Sequence, residues 1–373
     1  MKILRAFKTE LDLNNGQWTA CARHAGAARF AYNWGLVRKI EAYQAGLKVP
    51  SAIDLHRELN ALKKTELSWM YEVSKCAPQE ALRNLDQAYA HFFRRVKEKQ
   101  AGKNIKVGFA RFKSKKNGLG SFRLTGAIHI FEKAIQLPRL GVLRLKERNY
   151  LPIDDVHILS ATVSERAGRW FVSVQVEMEI PDPEPEEKSA AGVDLGILRM
   201  ATVSDGNGVD NPRALKQGLI KIKRLQRRLS RRKPGSANRK KAVRQLARAH
   251  YRVANIRKDA LHQATSWLAK TKSAVVLENL NVSGMLKNHH LAQAIADVGL
   301  YEFRRQLSYK GGWHGCKILI ADRFYPSSKR CSGCGDVKPD LMLNEREYHC
   351  GRCGLVIDRD LNAAINLEQL LYA

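Results

Sequence analysis

The stretch SAAGVDLGILRMATV, residues 189–203, decides how the second half of this chain folds. Its apolar pattern predicts a strand, a turn and a second strand, yet Asp194 lies in the middle of this stretch. An ionised carboxylate in an apolar setting is costly unless it is paired, hydrogen-bonded or bound to a metal. The position of Asp194 therefore predicts a partner elsewhere in the chain.

Two later stretches repeat this pattern. In SAVVLENLNV, residues 273–282, Glu278 follows an apolar run, and in LVIDRDLNAAINL, residues 355–367, Asp358 and Asp360 precede an alanine-rich helix. Three acids that meet in one fold repel each other and raise their pKa values unless cations lie between them. Oxygen ligands favour Mg²⁺ or Mn²⁺, and two such ions can hydrolyse a phosphodiester. A nuclease site is predicted, although Asp358 or Asp360 taken alone could equally cap the final helix.

The charge of the chain points to a polyanionic partner. It has 65 Lys and Arg against 36 Asp and Glu, which gives a net charge of +29. Nucleic acid is favoured over a membrane, because no basic amphipathic helix rich in Trp or Phe stands out and no apolar run approaches the roughly 20 residues of a membrane span. The charged residues Lys2, Arg5, Lys8 and Glu10 interrupt any signal-peptide pattern, so a cytoplasmic location is expected.

Four of the seven cysteines cluster near the end of the sequence. Cys331, Cys334, Cys350 and Cys353 form two Cys-x₂-Cys pairs, with glycines at 333, 335, 351 and 354 that allow tight turns. This spacing predicts a tetrahedral Zn²⁺ site of structural type. An iron–sulfur cluster or a redox dithiol is the weaker alternative.

Two basic segments suit nucleic-acid backbones. Residues 211–258 contain eighteen Lys or Arg and no Asp or Glu, and they predict two helices that break at Pro234-Gly235, with Ser236 capping the second. An apolar stripe on the first helix leaves a basic face formed by Arg224, Arg227, Arg228 and Arg231. The second segment, residues 94–116, places cations such as Lys113 beside Phe109 and Phe112, with a flexible loop as the alternative.

The hydrophobic period changes along the chain and indicates its organisation. A helical pattern covers about 18–112, a period of two covers about 121–180, and PDPEPEEKS, residues 181–189, is a linker. Beyond it strands mix with helices, including a helix over about 296–310, as in an α/β domain.

Several of these motifs together resemble the TnpB family of transposon-encoded RNA-guided nucleases, relatives of type V CRISPR effectors. They are GVDLGI, VVLENLNV, YPSSKRCSGCG with its second cysteine pair, and DRDLNAAINL, in the order of the family. The resemblance implies a multidomain α+β protein with a β-barrel (1–17 and 115–182), an inserted helical recognition lobe (18–114) and a linker (183–188). A RuvC-like nuclease domain of the ribonuclease H type (189–325 and 355–373), interrupted by a zinc ribbon (326–354), would follow.

The resemblance also implies site residues and partners. Asp194, Glu278 and, by its DLNAA context, Asp360 would bind Mg²⁺ and catalyse cleavage of DNA. A guide RNA derived from the transposon end would select the target beside a short adjacent motif. Lys75, Gln79 and Thr125 resemble the positions that meet this motif, although they could equally be ordinary surface residues.

Two other functions compete with this one. A nuclease-inactive, RNA-guided DNA-binding regulator is disfavoured by the complete set of three acids. A transposase that joins DNA strands is disfavoured because no helix-turn-helix motif is recognisable in the sequence.

Overall fold

The computed structural model describes residues 1–183, 188–342 and 345–372. The chain forms two compact units, Met1–Ile180 and Pro181–Ala373. Residues 184–187, which belong to the predicted linker 183–188, lie outside the described residues. No helix of the described chain is long and apolar enough to cross a membrane.

The first unit combines three helices with seven strands. Two 3₁₀ turns, Ser68–Glu72 and Lys115–Asn117, lie between them. In chain order the elements are β1 (Lys2–Asp12), α1 (Asn15–Gln44), α2 (Ala52–Leu62), α3 (Cys76–Gln100), β2 (Ser121–Leu124), β3 (His129–Phe131), β4 (Ala134–Leu137), β5 (Gly141–Leu145), β6 (Val156–Arg166) and β7 (Arg169–Glu179).

The strands of this unit form an antiparallel sheet in the order β2-β6-β7-β1-β5-β4-β3. Strand β1 is its centre, because it pairs with β7 from Lys2 to Glu10 and with β5 at Leu11 and Asp12. The predicted β strands are therefore present, while closure of the sheet into a barrel stays a prediction.

The helices and the sheet of the first unit share one hydrophobic core. Leu36 of α1 and Leu82 of α3 belong to the same buried cluster as Leu124 of β2 and Trp170 of β7. The predicted helical segment is thus packed on the strands that flank it in sequence. Its last part, residues 101–114, contains no helix.

The second unit also alternates strands and helices. In chain order the elements are β8 (Ala191–Asp194), β9 (Arg199–Val203), β10 (Gly208–Asp210), α4 (Ala214–Ser230), α5 (Ala237–Thr271), β11 (Ala274–Leu277), α6 (Val282–Met285), α7 (Ala292–Val298), α8 (Leu300–His314), β12 (Lys317–Ile320), β13 (Glu347–His349), β14 (Val356–Asp358) and α9 (Arg359–Gln369).

Five of these strands form a mixed sheet in the order β10-β9-β8-β11-β12. The pairs β10·β9 and β9·β8 are antiparallel, whereas β8·β11 and β11·β12 are parallel. Helices α5 and α8 supply apolar residues to the core of this sheet, among them Leu268 and Phe303. The mixed α/β character predicted for this half of the chain is confirmed.

The predicted helix over 296–310 is wrong in its extent. The structure has two helices here, α7 and α8, which are separated at Gly299. Gly299 adopts φ +79°, a left-handed conformation that ends one helix and that glycine adopts without a steric penalty.

Helix α9 packs unusually closely on strand β8, and Gly192 permits this contact. A Cβ atom at Gly192 would lie 1.9 Å from the carbonyl oxygen of Ala364 and 2.5 Å from the backbone nitrogen of Glu368. Both obstacles belong to the backbone of α9, so a side chain at position 192 could fit only if the helix moved away from the sheet. This glycine thereby fixes the position of α9, which carries Asp360.

The close contact at Gly192 can be tested by adding one methyl group. We expect Gly192→Ala to lower the free energy of unfolding by about 1–3 kcal/mol, the usual cost of overpacking a core. The matched control is Gly312→Ala in α8, where an added Cβ meets nothing within 4 Å. Chemical denaturation measures both variants, and equal stability of the two would contradict the close packing.

Candidate metal centres and nucleic-acid surface

Two of the predicted acids lie at the carboxyl ends of neighbouring parallel strands. Asp194 is the last residue of β8, and Glu278 directly follows β11. The pairing of Leu277 with Val193 places Glu278 and Asp194 next to each other in the parallel register. Both carboxylates are half-buried.

The third acid comes from helix α9. Asp360 lies in its first turn, where the guanidinium of Arg359 is 3.3 Å from a carboxylate oxygen of Asp360. Asp360 is close enough to Asp194 and Glu278 to raise the pKa of both carboxyl groups. The fold therefore brings together three acids that are far apart in the sequence.

Burial and mutual repulsion both raise pKa values in this cluster. Burial is the main cause that raises the pKa of Asp194 well above its ordinary value, and the negative charges of Glu278 and Asp360 add to it. Burial also raises the pKa of Glu278, while a hydrogen bond from Ser327 opposes this shift. Such a cluster gains stability when it binds a proton or a cation.

Asp358, the other acid of this segment, has a structural role. It is the N-cap of α9, and its Oδ1 accepts hydrogen bonds from the backbone N–H groups of Asp360 (3.0 Å) and Leu361 (2.9 Å). The sequence pattern left open whether Asp358 or Asp360 caps this helix, and the structure assigns the cap to Asp358. The carboxylate of Asp360 lies close enough to Asp194 and Glu278 to act on their charges.

The four predicted zinc ligands form a compact cluster. Among the described residues, Cys331, Cys334, Cys350 and Cys353 are the group of Cys, His, Asp or Glu whose ligand atoms all lie within 4.8 Å of one another. Two Sγ–Sγ pairs, Cys331–Cys353 and Cys334–Cys350, are separated by 3.6 Å. Thiolates about 2.3 Å from a tetrahedral Zn²⁺ are roughly 3.8 Å apart, so the cluster fits zinc.

The two Cys-x₂-Cys turns are closed by equivalent backbone hydrogen bonds. The N–H of Gly335 donates to the carbonyl of Cys331 (2.9 Å), and the N–H of Gly354 donates to the carbonyl of Cys350 (3.1 Å). These two glycines have φ values of +77° and +73°. The backbone N–H of Cys353 is the main cause that lowers the pKa of Cys350 to about 6, which favours the thiolate that a metal requires.

The predicted basic hairpin is present as α4 and α5, and Ser236 caps α5 through a hydrogen bond from the N–H of Arg239. Ile222 of α4 and Val253 of α5 are buried against each other. The opposite face of α4 is a groove lined by cationic side chains. The predicted members of this face, all exposed, are Arg224, Arg227, Arg228 and Arg231.

The hairpin is attached to the unit by an ion pair. The carboxylate of Asp297 in α7 accepts hydrogen bonds from the N–H of Leu215 (2.9 Å) and from Nε of Arg257 (2.5 Å). Asp297 therefore fixes the start of α4 against α5.

The residues predicted to meet the adjacent motif lie together in the first unit. Lys75 immediately precedes α3, Gln79 is one turn further along this helix, and Thr125 contacts Cys76 between them. Lys113 lies elsewhere, with its ammonium group 3.9 Å from the centre of the Tyr32 ring. The contacts of all four residues with nucleic acid stay predictions.

Sequence reasoning missed Ser327, Asn362 and Asn366. The hydroxyl of Ser327 donates a hydrogen bond to Oε1 of Glu278, and both asparagines are fully buried in contact with the segment before Cys331. Two asparagines one turn apart within the otherwise apolar run LNAAINL, residues 361–367, are the signal that could have found this contact.

Three family profiles match the chain. They are described as "Probable transposase" (residues 173–289), "Cas12f1-like, TNB domain" (301–367) and "Helix-turn-helix domain" (1–48). The third match corrects the expectation that no such motif would be recognised. Residues 1–48 nevertheless fold as strand β1 and the single long helix α1.

Relatives match over nearly the whole chain. A protein of Streptomyces pristinaespiralis named "Putative RNA-guided DNA endonuclease" is 36% identical over 98% of this chain and 89% of its own length. The similarly named InsQ of Escherichia coli K12 is 33% identical over 98% of this chain and 92% of its own. A solved structure, that of the mini-RNA-guided endonuclease CRISPR-Cas_phi3, has a similar fold, with a TM-score of 0.51 at 9% identity over 100% of this chain and 93% of that one.

The metal in the cysteine site can be identified directly. We expect the purified protein to contain about one zinc ion per chain, and Cys350→Ser to lose it. Elemental analysis measures the metal, with Cys316→Ser, a cysteine in the core of the sheet, as the control. Iron together with visible absorbance would contradict the zinc assignment.

The arginines of α4 predict a measurable salt dependence. Replacing Arg227 and Arg231 by Gln should weaken nucleic-acid binding and reduce the slope of log K against log salt by about 1 for each lost phosphate contact. Fluorescence anisotropy between about 50 and 200 mM salt measures this slope. The control is Arg148→Gln, because Arg148 already pairs with Glu132 at 2.6 Å. An unchanged slope would contradict the prediction that these arginines of α4 contact nucleic acid.

Proposed function

This chain belongs to the TnpB family, and on that premise we propose that it is a transposon-encoded, RNA-guided DNA endonuclease. The observation that carries the proposal is the meeting of Asp194, Glu278 and Asp360 at one end of the mixed sheet. Relatives named for the same activity support it. The protein would act in the cytoplasm.

The three carboxylates would hold Mg²⁺ or Mn²⁺. The raised pKa values of Asp194 and Glu278 and the oxygen donors of all three carboxylates suit a hard divalent cation. Bound Mg²⁺ would activate a water molecule and stabilise the leaving oxygen of the phosphodiester.

The protein would arrange these ligands in advance. Strands β8 and β11 hold Asp194 and Glu278 at their ends, while the cap at Asp358 and the contact at Gly192 fix the helix that carries Asp360. Arg359, whose positive charge counteracts the repulsion at Asp194, would limit the net charge of the cluster before a cation binds. A single site of this kind would cut the two DNA strands in turn.

Base pairing would provide target specificity. In RNA-guided nucleases the guide reads the target, and the protein reads duplex shape and a short adjacent motif. The guide would derive from the transposon end. Lys75, Gln79 and Thr125 would meet the adjacent motif, since Lys and Gln can read base edges in the major groove. The basic face of α4 would contact phosphates.

The proposal can be tested with the RNA that copurifies with the protein. The RNA is sequenced, and the complex is incubated with plasmids that carry the matching target beside randomised flanks. We expect Mg²⁺-dependent cuts at a restricted set of flanks, and loss of cutting in EDTA and in Asp194→Ala. The control Asp210→Ala removes an exposed carboxylate of the same sheet and should cut normally.

Other outcomes of this experiment would identify the competing functions. Tight RNA-dependent binding of the target without any cleavage would identify the nuclease-inactive regulator. Binding of transposon ends in the absence of RNA would instead support the transposase, in line with the description of one matching profile.

A further inference from the structure

The segment that leads into the cysteine site, residues 325–332, contacts the carboxylate cluster. The hydroxyl of Ser327 donates a hydrogen bond to Oε1 of Glu278, and Ser327 is only 3% exposed. The rotation of the Glu278 side chain is therefore restrained by a residue four positions before the first cysteine. We call residues 325–332 the leading segment.

Helix α9 holds the leading segment in place through its two buried asparagines. Nδ2 of Asn366 donates to the carbonyl groups of Ser327 (2.8 Å) and Arg330 (2.6 Å). Nδ2 of Asn362 donates to the same carbonyl of Arg330 (2.7 Å), and its Oδ1 accepts the N–H of Ser332 (2.9 Å). Asparagines four residues apart lie on one helical face, so a single face of α9 binds the segment.

Two further bonds extend this contact. The hydroxyl of Tyr325 donates to the carbonyl of Asn366 (3.0 Å), and Nε2 of Gln369 donates to the carbonyl of Ser332 (2.9 Å). The helix that carries Asp360 is thus bonded to the leading segment from one end of that segment to the other.

The cysteine site fixes the far end of the same segment. Cys331 lies between Arg330 and Ser332, both of which bind Asn362. The N–H of Cys331 also donates to the carbonyl of Asp336 (2.7 Å), which directly follows the first cysteine turn. A metal ion held by Cys331 would therefore restrain the backbone that places Ser327 beside Glu278.

We infer that Ser327 is a positioning residue for Glu278, and that a metal in the four-cysteine site strengthens divalent-cation binding at the three carboxylates through the leading segment. This inference rests on the proposed function only in that the carboxylates bind a divalent cation. Groups that orient a metal ligand typically change metal affinity by about 10- to 100-fold when they are removed.

The test measures Mn²⁺ binding to the full-length protein freed of nucleic acid. Electron paramagnetic resonance measures the concentration of free Mn²⁺ during a titration. The Asp194→Ala variant gives the background of Mn²⁺ binding at sites other than the carboxylates. We expect Ser327→Ala to bind Mn²⁺ about 10- to 100-fold more weakly. The matched control is Ser328→Ala, which removes the neighbouring hydroxyl and should keep wild-type affinity.

Zinc content and melting temperature are measured on the same samples, because a variant that is merely unfolded would change these as well. A folded, zinc-loaded Ser327→Ala protein with wild-type Mn²⁺ affinity would overturn the inference.

A second arm of the test uses the wild-type chain alone. Removal of zinc with a zinc-selective chelator, followed by dialysis, should weaken Mn²⁺ binding, and returning zinc should restore it. Unchanged Mn²⁺ affinity in the folded zinc-free protein would overturn the link between the two metal sites. If Mn²⁺ binds as inferred and guided cleavage is absent, the proposed function fails while the positioning role of Ser327 stands.

Discussion

The repulsion among Asp194, Glu278 and Asp360 is the constraint on which the second unit depends. Each carboxylate is held on a different element, and the negative charges raise the pKa values of Asp194 and Glu278 beyond the effect of burial. A fold that only had to be stable would gain by separating these groups. Their retention at one end of the sheet supports the proposal that a divalent cation neutralises them.

Helix α9 links most of the features that surround this cluster. Its first turn carries Asp360, its middle packs on Gly192, and its asparagines bind the segment that leads into the cysteine site. The carboxylate cluster and the cysteine site are thus parts of one arrangement. The cysteine site lies far from Glu278 in the sequence, yet Ser327 connects it to that residue by a single hydrogen bond.

The sequence predicted those features whose residues violate a local pattern. Asp194 and Glu278 were found because an acid is anomalous in an apolar strand, and the cysteines because their spacing is rare without a metal. Ser327 could not be found in this way, since a serine in a loop carries no pattern. From the residue pattern alone the roles of Asp358 and Asp360 could not be separated, because both lie at the start of the same helix. The family resemblance favoured Asp360 as the metal ligand, and the folded backbone shows that Asp358 caps the helix. The break at Gly299 was missed because a single glycine does not interrupt a helical period.

The most direct measurement compares Asp360→Asn with Asp358→Asn in Mg²⁺-dependent cleavage of a DNA that matches the bound RNA. Both changes remove one negative charge at neighbouring positions, and Asn remains a good helix cap. If the three carboxylates form the cleavage centre, Asp360→Asn abolishes cutting while target binding remains, and Asp358→Asn still cuts. Normal cutting by Asp360→Asn would contradict the account.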